Sequence, residues 1–587
     1  MRVDGSAPVA VSLLRTLVSA FRIFDRRARR QLVLLLVLMI GGAVLEALGA
    51  AVIVPFIALI NDPSYLSSQP LLREVYARSA AQSPSAFITA LSVMLLVFFV
   101  GKNLYLTMMA NAQFRFIYTE MPRYSCELFG RYMARPLSMH VQTNSAEMIR
   151  NVSNEVFMFF TNFLIPAMTL LTEVLVLVAI VVVLLLIAPI PTLVAIALLG
   201  GLTKLFYSLV RTKIRHYGKL QQMHNAERIK WVNQGLGSIK EAKVLGRERY
   251  FIERFNEHEA QFSRSARHAM LLNQTPRLFI ETMAFAALFI GVAVALAIGK
   301  DRASVLPVLA LFAIAAVRLL PSLNRTLLSV TRMAYYRPAA ETVLHSREEP
   351  SAATAPGPAP ATGAVIHPWR ELRFDRVSFS YPGTAEVLTN LDLSIPRGTS
   401  MALVGASGSG KTTVADLVLG LLQPTKGHIL LDDQDIASLG RAWQDRLGYI
   451  PQSTFLLDDS VRRNVAFAIP DKEIDDERVW RALRLARLDE HVCTLPGQLT
   501  ASIGENGSKL SGGQRQRLAI ARALYSDPEF IVLDEATSAL DEETEREIAD
   551  TLEGLAGEKT LLIIAHRPET IRRCRQRFSV EQRSFVQ

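Results

Sequence analysis

The stretch SMALVGASGSGKTTVADLVLGLL, Ser400 to Leu422, divides into an apolar run, a glycine-rich turn and a second apolar run with helical spacing. Its turn places Gly405, four residues, then Gly410, Lys411 and Thr412, the pattern GxxxxGK[ST] of a phosphate-binding loop. The chemistry needs these residue types. Gly405, Gly408 and Gly410 let main-chain N–H groups curl round phosphate oxygens, with Ser407 and Thr413 among the residues expected to contact the nucleotide. The start of the helix adds a favourable dipole, Lys411 reaches the outer phosphates, and Thr412 can ligate Mg²⁺. A flexible turn joining a strand to a helix is the competing reading, and the Lys411–Thr412 pair speaks against it.

Farther along stands KLSGGQRQRLAIARALYSDPEFIVLDEATSALD, Lys509 to Asp541. Phe530 to Leu533 read as a buried strand that ends in Asp534 and Glu535. An acid at such a strand end can hold Mg²⁺ through water, and a second beside it can orient or deprotonate an attacking water. Two exposed acids capping a strand are the plainer alternative, but in open α/β sheets ligands bind at the carboxyl ends of strands. Ser511, Gly512 and Gly513 precede an arginine-rich helix beginning near Gln514, so a second helix start offers bare N–H groups to an anion.

LSGGQ, together with the phosphate loop and the acid-ended strand, resembles the signature of ABC transporter ATPases, and the soluble part is similar to them along nearly its whole length. The resemblance implies an α/β P-loop domain with ATP and Mg²⁺ as cofactors, and it carries roles over to matching positions. Tyr381, in FSYPG before the first sheet, matches the aromatic that stacks on adenine, a surface tyrosine on an edge strand being the alternative. Gln452, in YIPQ, matches the glutamine that touches Mg²⁺ and relays nucleotide state to the membrane helices. Asp541, in SALD, matches the aspartate of the cross-dimer loop, and His566, in IIAHR, matches the switch histidine at the γ-phosphate. Asp534 is the expected Mg²⁺ acid and Glu535 the catalytic one, with Ser511, Gly512, Gly513 and Gln514 closing on nucleotide. In this family the phosphate loop of one chain meets the LSGGQ of another, so one copy of each implies a homodimer with two competent sites. Two departures stand out: Asn506 in ENG replaces the usual arginine, and CRQRFSVEQRSFVQ replaces the usual strand after His566, which leaves the last strand open.

Outward from this block the composition changes. A chain of 587 residues with 50% hydrophobic content exceeds one ordinary core, and the apolar residues concentrate in the first 330 positions. The net charge of +10 would suggest nucleic acid in a soluble protein, but Arg26, Arg27, Arg29 and Arg30 directly precede the first long apolar run, which marks the cytoplasmic side of a membrane. No nucleic-acid partner is expected. Cys126, Cys493 and Cys574 show neither metal spacing nor a disulfide framework. The early run VSLLRTLVSAF carries Arg15 in its middle and lacks a cleavage site, so it reads as an amphipathic surface helix with Leu14, Leu17, Val18 and Phe21 on one face.

Apolar runs near 31–60, 87–109, 157–188, 190–210, 278–299 and 304–326 are each long enough to cross a bilayer. The expected domains are 1–30, a cytosolic amphipathic segment; 31–340, an all-α transmembrane domain of six helices; 341–369, a Pro/Ala-rich linker; and 370–587, the ATPase. Six spans place both termini in the cytosol. Ahead of such an ATPase they resemble an ABC exporter half-transporter, whose loop-tip helices dock on the ATPase; NSAEMIRNV, with Asn144 as a cap, and the stretch from Gly235 to Glu248 are the candidates.

The spans carry Lys102, Arg277, Arg318 and Arg325 on the cytosolic side, with Glu46, Glu173 and Glu281 as counter-charges. Two readings are open: snorkelling with structural ion pairs, or a cationic lining suited to an anionic headgroup such as a diphosphate. LEALGAAVIVPFIALI, TPRLFIE and VRLLPSLNR, with GSIKEAKVLGRE, are also similar to bacterial flippases of lipid-linked oligosaccharides, whose external loop after the first span holds a short helix, here PLLREVYARSA. That likeness implies a multi-pass protein of the bacterial inner membrane moving an anionic polyprenyl diphosphate saccharide from the inner to the outer leaflet. Export of a peptide, drug or other lipid is the alternative, and an ATP-gated channel or regulator the reading from another class.

Overall fold

A computed structural model describes residues 9–61, 74, 76–78, 83–143, 145–187, 189–297, 302–348, 369–535, 542–565, 567–582 and 584–585. The chain divides into two compact units, Met1–Tyr132 with Ala146–Glu349, and Met133–Ser145 with Pro350–Gln587.

In the first unit all six expected spans fall in helices. These are Arg26–Asn61, Pro84–Met133, Ile165–Ile187, Pro189–Gly237, Glu248–Ala297 and Arg302–Glu348. Among the described residues, three segments are long and apolar enough to cross a membrane: Arg26–Gly49, Ser85–Met133 and Glu147–Val183. Pro189 opens its helix, where a missing N–H costs nothing, so the two apolar runs on either side of position 188 are separate helices. The first two spans approach closely at Gly41, where a Cβ would fall 2.5 Å from the Tyr105 hydroxyl; that hydroxyl donates to the Leu38 carbonyl at 2.9 Å.

At the N-terminal end of the third span the helix widens into π-turns at Asn151–Glu155 and Phe159–Leu164, which turn Phe159, Phe160 and Phe163 into one buried cluster with Phe24 and Phe116. The amphipathic segment forms the helix Val9–Ile23. It is used on two faces: Ala20 and Ile23 pack into that cluster, while Val18 and Phe21 stay exposed. The arginine cluster lies inside the first turns of the helix Arg26–Asn61 rather than ahead of it.

Several boundaries shift. The sixth long helix runs to Glu348, past the expected linker start at 341, because the sequence ETVLHSRE has no breaker. Trp369 is buried against Trp443 and Phe530, so it belongs to the ATPase core and not to the linker. The segment that groups with the second unit is Met133–Ser145, with the short helix Leu137–Gln142, just before NSAEMIRNV. Ser145–Arg150 is instead the start of the third span's helix, and Asn144 lies outside the described residues. The second tip does form a short helix, Ile239–Leu245, closed by Gly246 at φ +62°. The external helix PLLREVYARSA lies mostly outside the described residues.

The second unit has two sheets. Strands β1 (Glu371–Ser380), β2 (Glu386–Pro396), β4 (Lys426–Leu431) and β5 (Gln434–Asp435) form an antiparallel sheet in the order β2-β1-β4-β5. Strands β3 (Ser400–Val404), β6 (Leu447–Ile450), β7 (Phe530–Asp534), β8 (Thr560–Ile564), β9 (Gln576–Ser579) and β10 (Ser584–Phe585) follow the order β10-β9-β3-β8-β7-β6. This second sheet is parallel except for β10. Every residue of β7 and β8 is buried, as expected for strands covered on both faces. The last strand left open by the sequence thus exists: Phe578 supplies the core residue and β9 pairs with β3.

Candidate nucleotide site

The ends of β3 and β7 lie at the carboxyl edge of the parallel sheet. The phosphate loop leaves β3 after Val404, and the helix Lys411–Val418 begins where it ends. Gly408 and Gly410 stand at φ +82° and +96°, which L side chains rarely adopt, so the loop's curl requires glycine at both. Gly405, Ser407, Thr412 and Thr413 take their expected places along the loop and the first turn of the helix. Lys411 is 5% exposed, and its ammonium donates to the carbonyls of Gly405 at 2.9 Å and Ala406 at 2.7 Å. Neutral carbonyls are weak partners for a buried cation, so a phosphate competes well for it.

Asp534 ends β7, two strands from β3, and is buried. Burial, then the charge of Glu535, push its carboxyl above the usual range, with Lys411 pulling the other way. Asp416, on the loop's own helix, is driven up to about 6 by burial and by Asp534. Its position in the midst of TTVADLV gave no sign of that neighbour. Glu535 accepts a hydrogen bond from Gln452 Nε2 at 2.8 Å, which joins the two residues expected to act on the water and the metal. Its φ of +44° is strained for a side chain of that size, and strain of this kind clusters at functional sites.

Tyr381 follows β1 of the antiparallel sheet instead of preceding it, and its hydroxyl lies 3.4 Å from that of Thr413. The aromatic ring is therefore beside the first turn of the loop's helix. Ser511 caps the helix Gly512–Leu524 in a reciprocal box: its hydroxyl accepts from Gln514 N–H at 3.2 Å, and Gln514 Oε1 accepts from Ser511 N–H at 2.8 Å. Gly512 and Gly513 leave the helix start bare of side chains. Asn506 sits at φ +49°, a left-handed conformation that asparagine tolerates well, and this gives its departure from the family's arginine a local reason. Asp541 and His566 lie outside the described residues.

In the first unit the expected cations divide. Lys102 is 6% exposed and donates to Glu46 at 3.0 Å, so its charge is matched inside the bundle and is not offered to a cavity. Arg325 Nε lies 2.5 Å from Glu173, yet the arginine is 53% exposed against 8% for the carboxylate. Arg277 and Arg318 occupy the helices Glu248–Ala297 and Arg302–Glu348, and their side chains lie outside the described ones.

Comparison with known proteins agrees with this geometry. The ABC transporter domain matches residues 388–538, and the ABC transporter transmembrane region matches residues 32–318. A protein named ATP-dependent lipid A-core flippase from Cupriavidus pinatubonensis is 34% identical over 453 residues, 76% of this chain and 75% of that one. The mitochondrial potassium channel ATP-binding subunit of Rattus norvegicus is 42% identical over 221 residues, 36% of this chain and 31% of that one. In fold, the chain resembles a solved bacterial Atm1-family ABC exporter with ATP bound, with a TM-score of 0.72, 21% identity and coverage of 96% and 95% of the two chains. With both domains matched and the phosphate loop, acid pair and signature helix in place, the chain belongs to the ABC transporter family, a membrane exporter domain fused to an ATPase that couples ATP hydrolysis to transport.

Proposed function

We propose that the protein works as a homodimer in the bacterial inner membrane and flips an anionic, lipid-linked saccharide from the inner to the outer leaflet. The name of relatives such as the Cupriavidus flippase supports the cargo class. The observation that carries it is Arg325. Glu173 takes two of its nitrogens, but a guanidinium has five N–H donors, and half of this side chain remains exposed, which leaves donors for a second anion. Arg318, seven residues earlier and so on nearly the same helix face, would extend that lining, with Arg277 on the neighbouring helix.

The nucleotide residues fit a sandwich. Ser511 to Gln514 of one protomer close over the phosphates held by Lys411 in the other, with Asp541 at the seam and Tyr381 on the adenine. Glu535, held by Gln452, orients and deprotonates the attacking water, and His566 reports the γ-phosphate. The raised carboxyls of Asp416 and Asp534 make an anionic pocket that a divalent cation relieves. Thr412, Gln452 and Asp534 would hold Mg²⁺, which neutralises charge on the outer phosphates when bound.

The test is ATPase activity of the purified protein in lipid nanodiscs with and without a polyprenyl diphosphate lipid, alongside mass spectrometry of co-purifying lipids. Stimulation by the diphosphate lipid, lost in Arg318→Ala and Arg325→Ala, is expected. Equal stimulation in both variants, or stimulation by peptides instead, sinks the cargo assignment. The relative named as a potassium channel subunit matches only over about the length of the ATPase, and ion conductance with little turnover would favour that alternative.

A further inference from the structure

The strand β9 runs parallel to β3 with Ser579 opposite Val404, and the next residue, Val580, donates its N–H to the Val404 carbonyl at 3.1 Å. Continued one step, such a ladder would give the Ala406 N–H a main-chain acceptor on β9. Both chains turn away at that point. Gly405 takes φ +148° as the phosphate loop begins, and residues 581–582 turn toward β10. The Ala406 N–H donates instead to Glu581 Oε1 at 2.8 Å, and Glu581 Cγ stands 3.7 Å from where a Cβ on Gly405 would be. A side chain has replaced the missing rung.

On its other side the same turn is held by Lys411, through the carbonyls of Gly405 and Ala406. An ammonium that turns to a phosphate must let those carbonyls go, which leaves the Ser409 N–H on the Ala406 carbonyl at 3.2 Å and the carboxylate as the one side chain that still holds the Ala406 N–H. We propose that Glu581 is a positioning residue of the nucleotide site: it keeps the Gly405–Ala406 arm in its phosphate-receiving shape while Lys411 moves from the loop to the nucleotide. The inference rests on the reading of this loop as the ATP site. Glu581 does not stand in for a phosphate, because the N–H it holds belongs to the arm leaving β3. The N–H groups expected to face an anion are those of the glycine-rich turn beyond that arm and of the helix start, from Gly408 to Thr413.

The experiment compares the full-length wild type with Glu581→Ala and Glu581→Gln, by binding of a fluorescent ATP analogue, steady-state hydrolysis and thermal unfolding. Loss of one charge-assisted hydrogen bond in Glu581→Ala is expected to raise Kd and KM for ATP about fivefold, or about 1 kcal/mol, with kcat changed less than about twofold. Glu581→Gln is expected to recover most of that affinity, since its amide oxygen still accepts the N–H. Wild-type affinity in Glu581→Ala overturns the proposal, as does tighter binding in both variants, which would mean that the carboxylate competes with phosphate. A parallel fall of kcat and unfolding temperature, or no rescue by glutamine, also overturns it. Failure of the wild type itself to bind or hydrolyse ATP sinks the ATP-site reading, and the role of Glu581 with it.

Discussion

Two lysines in this protein are buried to nearly the same degree and do opposite things. Lys411, 5% exposed, rests on two main-chain carbonyls at the head of the phosphate loop, and Lys102, 6% exposed, rests on the carboxylate of Glu46 between two membrane helices. Carbonyl dipoles solvate a cation without cancelling its charge. A carboxylate cancels it. Burial alone therefore says little about whether a cation serves a ligand; the charge of what it touches decides. The same rule separates Arg325, paired but half exposed, from Lys102, and it narrows the cationic lining expected from sequence to the arginines.

The contrast can be broken most sharply at Lys411. Its replacement in Lys411→Met should lower ATP turnover by about 100-fold or more, since it removes a charge aimed at the transferred phosphoryl group, while the unfolding temperature stays close to that of the wild type. Phosphate release and calorimetry on one preparation would check both; a protein that loses stability and activity together would erase the distinction.

The converse is expected at Lys102. Lys102→Met strands the Glu46 carboxylate and should cost about 3 kcal/mol, read as a large drop in unfolding temperature in detergent. The double variant Lys102→Met/Glu46→Leu should recover most of that loss, because the pair is removed whole. If the double variant is as unstable as the single one, the ion pair is not what Lys102 contributes.

The smallest effect concerns an unmatched carboxyl. Asp416 is raised from the ordinary 3.8 to about 6 by burial and by Asp534, so the native state holds its proton more tightly than the unfolded chain. Stability without nucleotide or Mg²⁺ should then fall as pH rises through the window between those values and stay low above it. Asp416→Asn removes that fall, so its advantage in unfolding temperature over the wild type should widen from pH 4 to pH 7.5 by a few degrees. A gap independent of pH would show that Asp416 titrates normally.

Much of the ATPase was legible because its motifs are contiguous. Gly405 to Thr413 dictate the loop's dihedrals and donors by themselves, and Ser511 with Gln514 closes a capping box within four residues. Elements misjudged from sequence depended on distant partners. Trp369 reads as linker in the sequence but packs between Trp443 and Phe530 in the fold, and the stretch after His566 lacks the usual pattern although Phe578 still fills the core beside β3. Asn506 departs from the arginine that the resemblance leads one to expect, and its left-handed turn suits asparagine.

By itself, then, the sequence determined the six helical runs, the phosphate loop, the acid-ended strand and the signature helix, since consecutive residues set backbone angles and hydrogen-bond donors locally. Only the tertiary structure decided which charges are spent on each other. Lys102 meets Glu46 across 56 residues, Arg325 meets Glu173 across 152, and Glu581 reaches the Ala406 N–H across 175. Such pairings follow from how helices and strands pack, and Coulomb energy depends on distance in space rather than along the chain.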